Sequence, residues 1–293
     1  MGQKTSKYEY DISLNNETTI MNDDEEIITK NSFEYIDVIG RGGFGKVWKV
    51  CHKKYNKIYA MKEMSKLKII DKKSIKSIKN ERDILSKIYH PFIINMYYSF
   101  QDKENLYIIM DYLKGGDLRY NMCEKKNFSE EQAKFFIACI VLSLEYIHSN
   151  NIIHRDLKPE NLILNNKGYL KLTDFGIAKI YNKNIDNSNE TSGTLSYMSP
   201  EVLLGLNHNF CVDYYALGII SYEIMFGFRP YKGKNKNEIK NNILSKQVCV
   251  TKKNLIKKKW SQESGDFINK LIERKYFKRL GYNEFVKLKN ILS

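Results

Sequence analysis

The feature that most restricts this chain is a change of hydrophobic period near its middle. From Phe33 onward, FEYIDVIG, KVWKVCH and KIYAMKEM are short runs of β-branched and aromatic residues broken by glycine and polar turns, the pattern of strands. One helical stretch is predicted over 72–89, where Ile75, Ile78, Ile84, Leu85 and Ile88 recur at helix-like spacing until His90-Pro91 stops it. Two more strands fit 96–100 and 106–111. After Gly115-Gly116 the pattern turns helical: Ser129 caps EEQAKFFIACIVLSLEYIHS, with acids in its first turn and an apolar face. Further helices fit 213–226, 238–245, 263–272 and 284–292. A β-rich half followed by an α-rich half predicts an α+β fold of two lobes, with a ligand cleft between them near Asp111, Tyr112 and Leu113. The division is a flexible acidic arm over 1–32, a sheet-plus-helix lobe over 33–111, and a hinge with a helical lobe over 112–293.

With 293 residues, 42% of them hydrophobic, the chain can build one large domain or two lobes. No stretch approaches the roughly 18 consecutive apolar residues of a spanning helix, and the first residues lack the apolar core of a secretory signal. The cysteines (Cys51, Cys123, Cys139, Cys211, Cys249) lie far apart with no CxxC pair, so they read as reduced thiols and no zinc site is expected. A net charge of +14 reads as a solvated, lysine-rich surface. No nucleic-acid partner is expected, because no basic stripe interleaved with stacking aromatics appears. Attraction to acidic membranes stays open through Lys252, Lys253, Lys257, Lys258 and Lys259. Residues 1–32 are polar, end in Asp23, Asp24, Glu25 and Glu26, and show no period.

Gly40, Arg41, Gly42, Gly43, Phe44 and Gly45 spell G-x-G-x-x-G. In a dinucleotide fingerprint this loop opens a helix. Here Lys46, Val47, Trp48, Lys49 and Val50 continue as a strand, so the loop joins two antiparallel strands as a flap whose N–H groups can close over phosphates. An ordinary Gly-rich hairpin is the competing reading of the loop alone. Further features follow in order: Ala60-Met61-Lys62 on the third strand, His154-Arg155-Asp156-Leu157-Lys158-Pro159-Glu160-Asn161 after the long helix, and Asp174-Phe175-Gly176 after another short strand.

With these motifs the chain, over about residues 33–281, resembles the eukaryotic protein kinase family. Lys158, and Thr194 in Ser-Gly-Thr, look like the serine/threonine class. Glu81-Arg82-Asp83-Ile84-Leu85, Gly115-Gly116-Asp117-Leu118 and Arg279-Leu280-Gly281 look like the AGC branch; GGDLRY, Arg229-Pro230-Tyr231 and the Met-Gly start resemble its YANK subgroup. The resemblance implies a kinase that moves the γ-phosphate of ATP, with Mg²⁺, to Ser or Thr hydroxyls of proteins. Asp174 and Asn161 would ligate the metal, as hard oxygens suited to an ion that also binds phosphate. Lys62, held by Glu81, would contact the α- and β-phosphates. Asp156 would accept the hydroxyl proton, and Lys158 would neutralise charge on the transferring group. Ile39, Val47, Ala60, Met110 and Ile163 would line the adenine slot beneath the loop from Gly40 to Lys46, with Asp111 and Leu113 offering hinge backbone bonds. The rival from another class is a pseudokinase or membrane-docked scaffold.

The same resemblance makes 174–201 the activation segment, with Glu190 where the branch usually carries a phosphothreonine. Glu190, near Arg155 and Lys179, is expected to substitute imperfectly for phosphate, since a carboxylate carries less charge and fewer acceptors. The alternative is phosphorylation of Thr191 or Ser188. Glu201 is expected to pair with Arg279. Asp117, Glu160 and Glu223 match positions that bind basic residues upstream of the acceptor, which predicts a preference for Arg or Lys there. Residues follow Arg279-Leu280-Gly281 only as far as Ser293, which gives no expectation of control through a C-terminal tail. Met1-Gly2-Gln3-Lys4-Thr5-Ser6 fits N-myristoylation at Gly2. One acyl chain gives marginal, reversible binding, so a cytoplasmic monomer that partitions to membrane is expected.

Overall fold

The computed structural model describes residues 27–125, 128–181 and 191–282. Its first half is an antiparallel sheet of five strands, β1 (Phe33–Arg41), β2 (Gly45–His52), β3 (Lys57–Ser65), β4 (Met96–Gln101) and β5 (Asn105–Asp111), in the order β1-β2-β3-β5-β4. The two-residue period sorts side chains onto its faces. Phe33, Val50, Tyr59, Met61, Tyr107 and Ile109 bury together on one face, where Phe100 stacks on Phe33. Ala60, Met64, Ile108 and Met110 bury on the other, within the main core. Lys62 alternates in phase with Ala60 and Met64, so the same pleat that buries those residues turns its stem toward the cleft.

Two helices pack beside the sheet, α1 (Lys66–Asp71) and α2 (Ile75–Leu85). The helix predicted over 72–89 is therefore shorter: Lys73 takes a left-handed φ of 52°, which separates the two helices. Helix α1 was missed because its six residues bury only Ile69. On α2 the buried residues are Ile78, Glu81, Ile84 and Leu85, so a carboxylate lies within the apolar stripe at i, i+3 spacing. Residues 27–32, the end of the predicted arm, dock on the sheet. Thr29 caps a turn over Lys30–Ser32, Ile28 packs on the Phe33 cluster, and Lys30 Nζ donates to Asp102 at 2.8 Å.

The second half is helical: α3 (Leu118–Lys125), α4 (Glu130–Ser149), α5 (Pro200–Leu203), α6 (Cys211–Phe226), α7 (Lys236–Ser245), α8 (Lys252–Lys258) and α9 (Gln262–Leu271). Ser129 and Gln132 form the capping box that starts α4. Two small antiparallel pairs, β6 (Ile152–Ile153) with β9 (Lys179–Ile180) and β7 (Leu162–Leu164) with β8 (Leu170–Leu172), carry the loops at the cleft. Helices α3 and α8 went unpredicted, since each buries only one residue, Leu118 or Leu255; the helix expected over 284–292 lies outside the described residues. The expected pair forms beneath α5: Arg279 donates to both oxygens of Glu201 at 2.6 and 3.0 Å, with both residues buried. No helix among the described residues is long and apolar enough to cross a membrane.

Candidate active site

The glycine-rich segment is a flap, as its continuation into a strand predicts. Strands β1 and β2 pair with Gly40 opposite Val47 and Arg41 opposite Lys46, and Gly42 N donates to Gly45 O at 2.9 Å. Gly45 cannot be larger: a Cβ there would meet Glu63 O of β3 at 1.9 Å. Lys72 Nζ, at the end of α1, donates to Gly43 O at 2.8 Å and lies 5.3 Å over the Phe44 ring, so a lysine tethers the flap's tip.

Below the flap, Lys62 Nζ reaches both carboxylate oxygens of Glu81, at 2.7 and 2.8 Å. The pair follows from the pleat of β3 and the buried stripe of α2. Helix α2 is fixed further by groups beside Glu81 that periodicity does not reveal: Ser77 Oγ donates to Gly176 O at 2.5 Å and Asn80 Nδ2 to Ala178 O at 2.7 Å. Their signal was two polar residues flanking the Ile78–Glu81 stripe at i, i+3 spacing. Ala60 and Met110 are cross-strand partners, Val47 faces Lys62 across the β2–β3 ladder, and Ile163 bridges to Asp117. Of the residues expected to line an adenine slot, Val47, Ala60 and Met110 thus lie on the sheet and Ile163 on β7. The Asp111 side chain accepts from Lys171 Nζ at 2.8 Å, Tyr97 Oη at 2.8 Å and Asn95 N at 3.0 Å, which fixes the hinge.

The loop after β6 is moored by one buried carboxylate. Asp213 of α6 accepts from His154 N and Arg155 N at 2.9 Å each, and His148 Nε2 lies 2.8 Å away. Burial works to raise the Asp213 pKa, but the His148 hydrogen bond and charge and the His154 N–H outweigh it and hold the carboxyl below its ordinary range. Arg155 then takes a φ of 67° and Asp174 one of 64°, left-handed values that need surrounding contacts to persist. His154, fully buried, packs edge-on to the buried Phe175 ring at 5.1 Å and approaches Thr173 O at 3.1 Å.

Asp156 Oδ2 accepts from Lys158 Nζ at 2.5 Å, and Oδ1 from Thr194 Oγ1 at 2.8 Å. Gly193 lets the segment approach this closely. Its φ is 115°, and a Cβ would meet Arg155 O at 2.6 Å. Asn161 Nδ2 donates to Asp156 O at 2.9 Å and Oδ2 at 3.3 Å, which commits the nitrogen and leaves the amide oxygen without a donor among the described residues. Asp174, exposed at the cleft, uses Oδ1 for Gly176 N at 3.3 Å. One neutral and one anionic oxygen thus stand available, a donor set that fits Mg²⁺ sharing its shell with phosphate and water. No cluster of three or more His, Cys, Asp or Glu able to hold a metal occurs among the described residues.

The three acids predicted to receive basic residues each have a partner within the chain. Asp117 Oδ1 accepts Tyr120 N at 2.7 Å, capping the first turn of α3. Glu160 and Glu223 converge, but on Arg119 of the same chain, at 3.0 Å from Nε and 2.7 Å from Nη1. The arginine of GGDLRY, in the first turn of α3, faces those carboxylates, which the motif alone does not reveal. In the activation segment, Arg155 Nε donates to Ile177 O at 2.7 Å, Lys179 pairs with Ile153 between β9 and β6, and the exposed Thr191 bonds Val202 O at 3.3 Å. Gly2, Ser188 and Glu190 lie outside the described residues.

A Gly-rich flap over a sheet lysine paired with a glutamate of α2, facing an Asp-Lys-Asn loop and a second aspartate on a helical half, defines a protein kinase domain. The chain belongs to that family, whose Protein kinase domain description matches residues 33–291. It is 40% identical over 262 residues to a probable serine/threonine-protein kinase of Dictyostelium discoideum, covering 89% of this chain and 56% of that protein. To the serine/threonine-protein kinase sgk-1 of Caenorhabditis elegans it is 41% identical over 262 residues, 88% of this chain and 55% of that protein. To Protein kinase 2 of Dictyostelium discoideum it is 37% identical over 265 residues, 90% and 54%. The chain spans a little over half the length of these curated relatives.

Proposed function

We propose that this chain transfers the γ-phosphoryl group of ATP to serine or threonine hydroxyls of protein substrates. The observation that carries this reading is the state of Asp156: its carboxylate is buttressed by Lys158 and Thr194 and keyed to Asn161. Phosphoryl transfer asks for positioning and charge neutralisation more than covalent help. Asp156 orients the acceptor hydroxyl and takes its proton. Lys158 places a positive charge where the transferring group gains negative charge, while Lys62, aimed by Glu81, grips the α- and β-phosphates. Asp174 and Asn161 would hold Mg²⁺, which would supply neutralisation of the phosphate oxygens. The similarity to kinases named for serine and threonine supports the acceptor class, as do Lys158 and Thr194 in contact at 3.1 Å.

The AGC-like placement, with its YANK-like signature, rests on the motifs quoted above. In this reading 1–32 form an arm, 33–111 the nucleotide lobe and 112–293 the hinge and helical lobe. Glu190 partly stands in for a phosphate facing Arg155 and Lys179, or Thr191 or Ser188 is phosphorylated; phosphatase treatment that abolishes activity selects the second. A monomer, myristoylated at Gly2 and dividing between cytosol and membrane, is proposed from Met1-Gly2-Gln3-Lys4-Thr5-Ser6; Gly2→Ala should shift it to the soluble fraction.

The test is transfer of labelled phosphate from ATP·Mg²⁺ to a serine/threonine peptide array, with Lys62→Met as control. Lys62→Met should lower labelling by about 10²–10³-fold, and chelation of Mg²⁺ should abolish it. A chain that binds ATP but labels nothing, wild type and variant alike, is a pseudokinase.

A further inference from the structure

Next to the catalytic loop, the turn over Pro159–Asn161, helix α6 and helix α3 bring Glu160, Glu223 and Arg119 together. The guanidinium is used on every side. Nε bonds Glu160 at 3.0 Å, Nη1 and Nη2 bond the two oxygens of Glu223 at 2.7 and 3.1 Å, and Nη2 also bonds Tyr197 Oη at 2.5 Å. Tyr197 in turn donates to Glu223 at 2.7 Å. Glu223 is 4% exposed and Arg119 28%, whereas Glu160 at 44% lies at the open rim. Arg229, which donates to Ser196 at 2.7 Å, brings a second guanidinium to 4.0 Å from Glu223. Two carboxylates therefore meet two guanidiniums, and the cluster carries no net charge.

We infer that Arg119 is a built-in occupant of the acidic pocket beside the catalytic loop, so that this kinase accepts serine and threonine peptides with uncharged residues upstream and does not select arginine there. The inference rests on the kinase reading and names its substrate class. A peptide arginine could reach Glu223 only by displacing a bidentate, partly desolvated partner. That partner is tethered: an attached competitor acts at an effective concentration of roughly millimolar or more, whereas protein substrates act at about 1 μM–1 mM. The tethered guanidinium wins over most of that range. Removing it leaves Glu223 buried without its bidentate partner, held only by Tyr197 and the more distant Arg229, a vacancy of guanidinium shape that an incoming arginine can fill.

The experiment compares kcat/KM for arginine against alanine at each upstream position of one acceptor peptide. For wild type the ratio should stay within about twofold of one throughout. For Arg119→Ala, and for Arg119→Met, which keeps the aliphatic stem, it should rise at one upstream position by about tenfold or more, the size of a well-placed charge-assisted pair. In parallel, millimolar methylguanidinium should raise the Tm of Arg119→Ala and leave wild type unmoved. Wild type that already selects arginine, or variants with the wild-type ratio, overturn the inference. If wild type phosphorylates no peptide, the kinase reading fails instead; the methylguanidinium shift still decides, and equal shifts in both proteins overturn the pocket assignment.

Discussion

Asp156 shows how much of the chemistry sits in single contacts. Its two oxygens are already shared between Lys158 and Thr194, so the acceptor hydroxyl enters a site whose carboxylate is oriented beforehand. Asp156→Asn keeps the shape and both neighbours but removes the proton acceptor. It should lower kcat by about 10²–10⁴-fold with little change in KM for ATP, measured by steady-state assay with the array's best peptide. Much at this scale was readable in advance. Lys62, Glu81, Asp156, Lys158, Asn161 and Asp174 are functional types at diagnostic spacing, and the structure brings them to one cleft. Arg119 was not readable, because a surface-type residue in a short helix has no period to reveal which neighbours its long side chain reaches.

Among the elements, the strands were the most legible, since two-residue alternation fixes both existence and facing. Short helices that bury a single residue, α1, α3 and α8, gave no stripe to detect. A junction between helices also escaped the sequence: Glu130 in the first turn of α4 accepts the backbone N–H of Ser261 at 2.9 Å and both hydroxyls of Ser261 and Ser264 at the start of α9. Burial pushes the Glu130 pKa up, but these hydrogen bonds and Lys134 prevail and bring it from 4.5 down to about 2. A carboxyl held below its unfolded value stabilises the fold above about pH 4.5, and that contribution fades as pH falls toward 2. Glu130→Gln should therefore cost about 1–2 kcal/mol at pH 7 and only about a quarter of that near pH 2.5, read from urea midpoints across that range.

For the whole molecule, the buried Arg279–Glu201 pair closes the helical half. Arg279 also bonds Cys211 O and Glu273 O, both at 2.9 Å, and lies 4.9 Å over Tyr215. Stranding that guanidinium by Glu201→Ala should cost about 3–5 kcal/mol, a large part of the roughly 5–15 kcal/mol that stabilises a typical domain. Replacing both partners with leucine and methionine should cost clearly less, by chemical denaturation. The two-lobe plan itself was legible from the change of period, whereas the contacts that join the halves were not, because they lie between residues nearly a hundred positions apart. Two of those contacts, from Ser77 and Asn80 to the carbonyls after Asp174, turn α2 into a gauge. It carries Glu81 one turn from Ser77, on the side that feels the metal-side loop. A shift of that loop by an ångström or so would unseat the helix, and Lys62 would lose its aim before anything at the phosphates had changed.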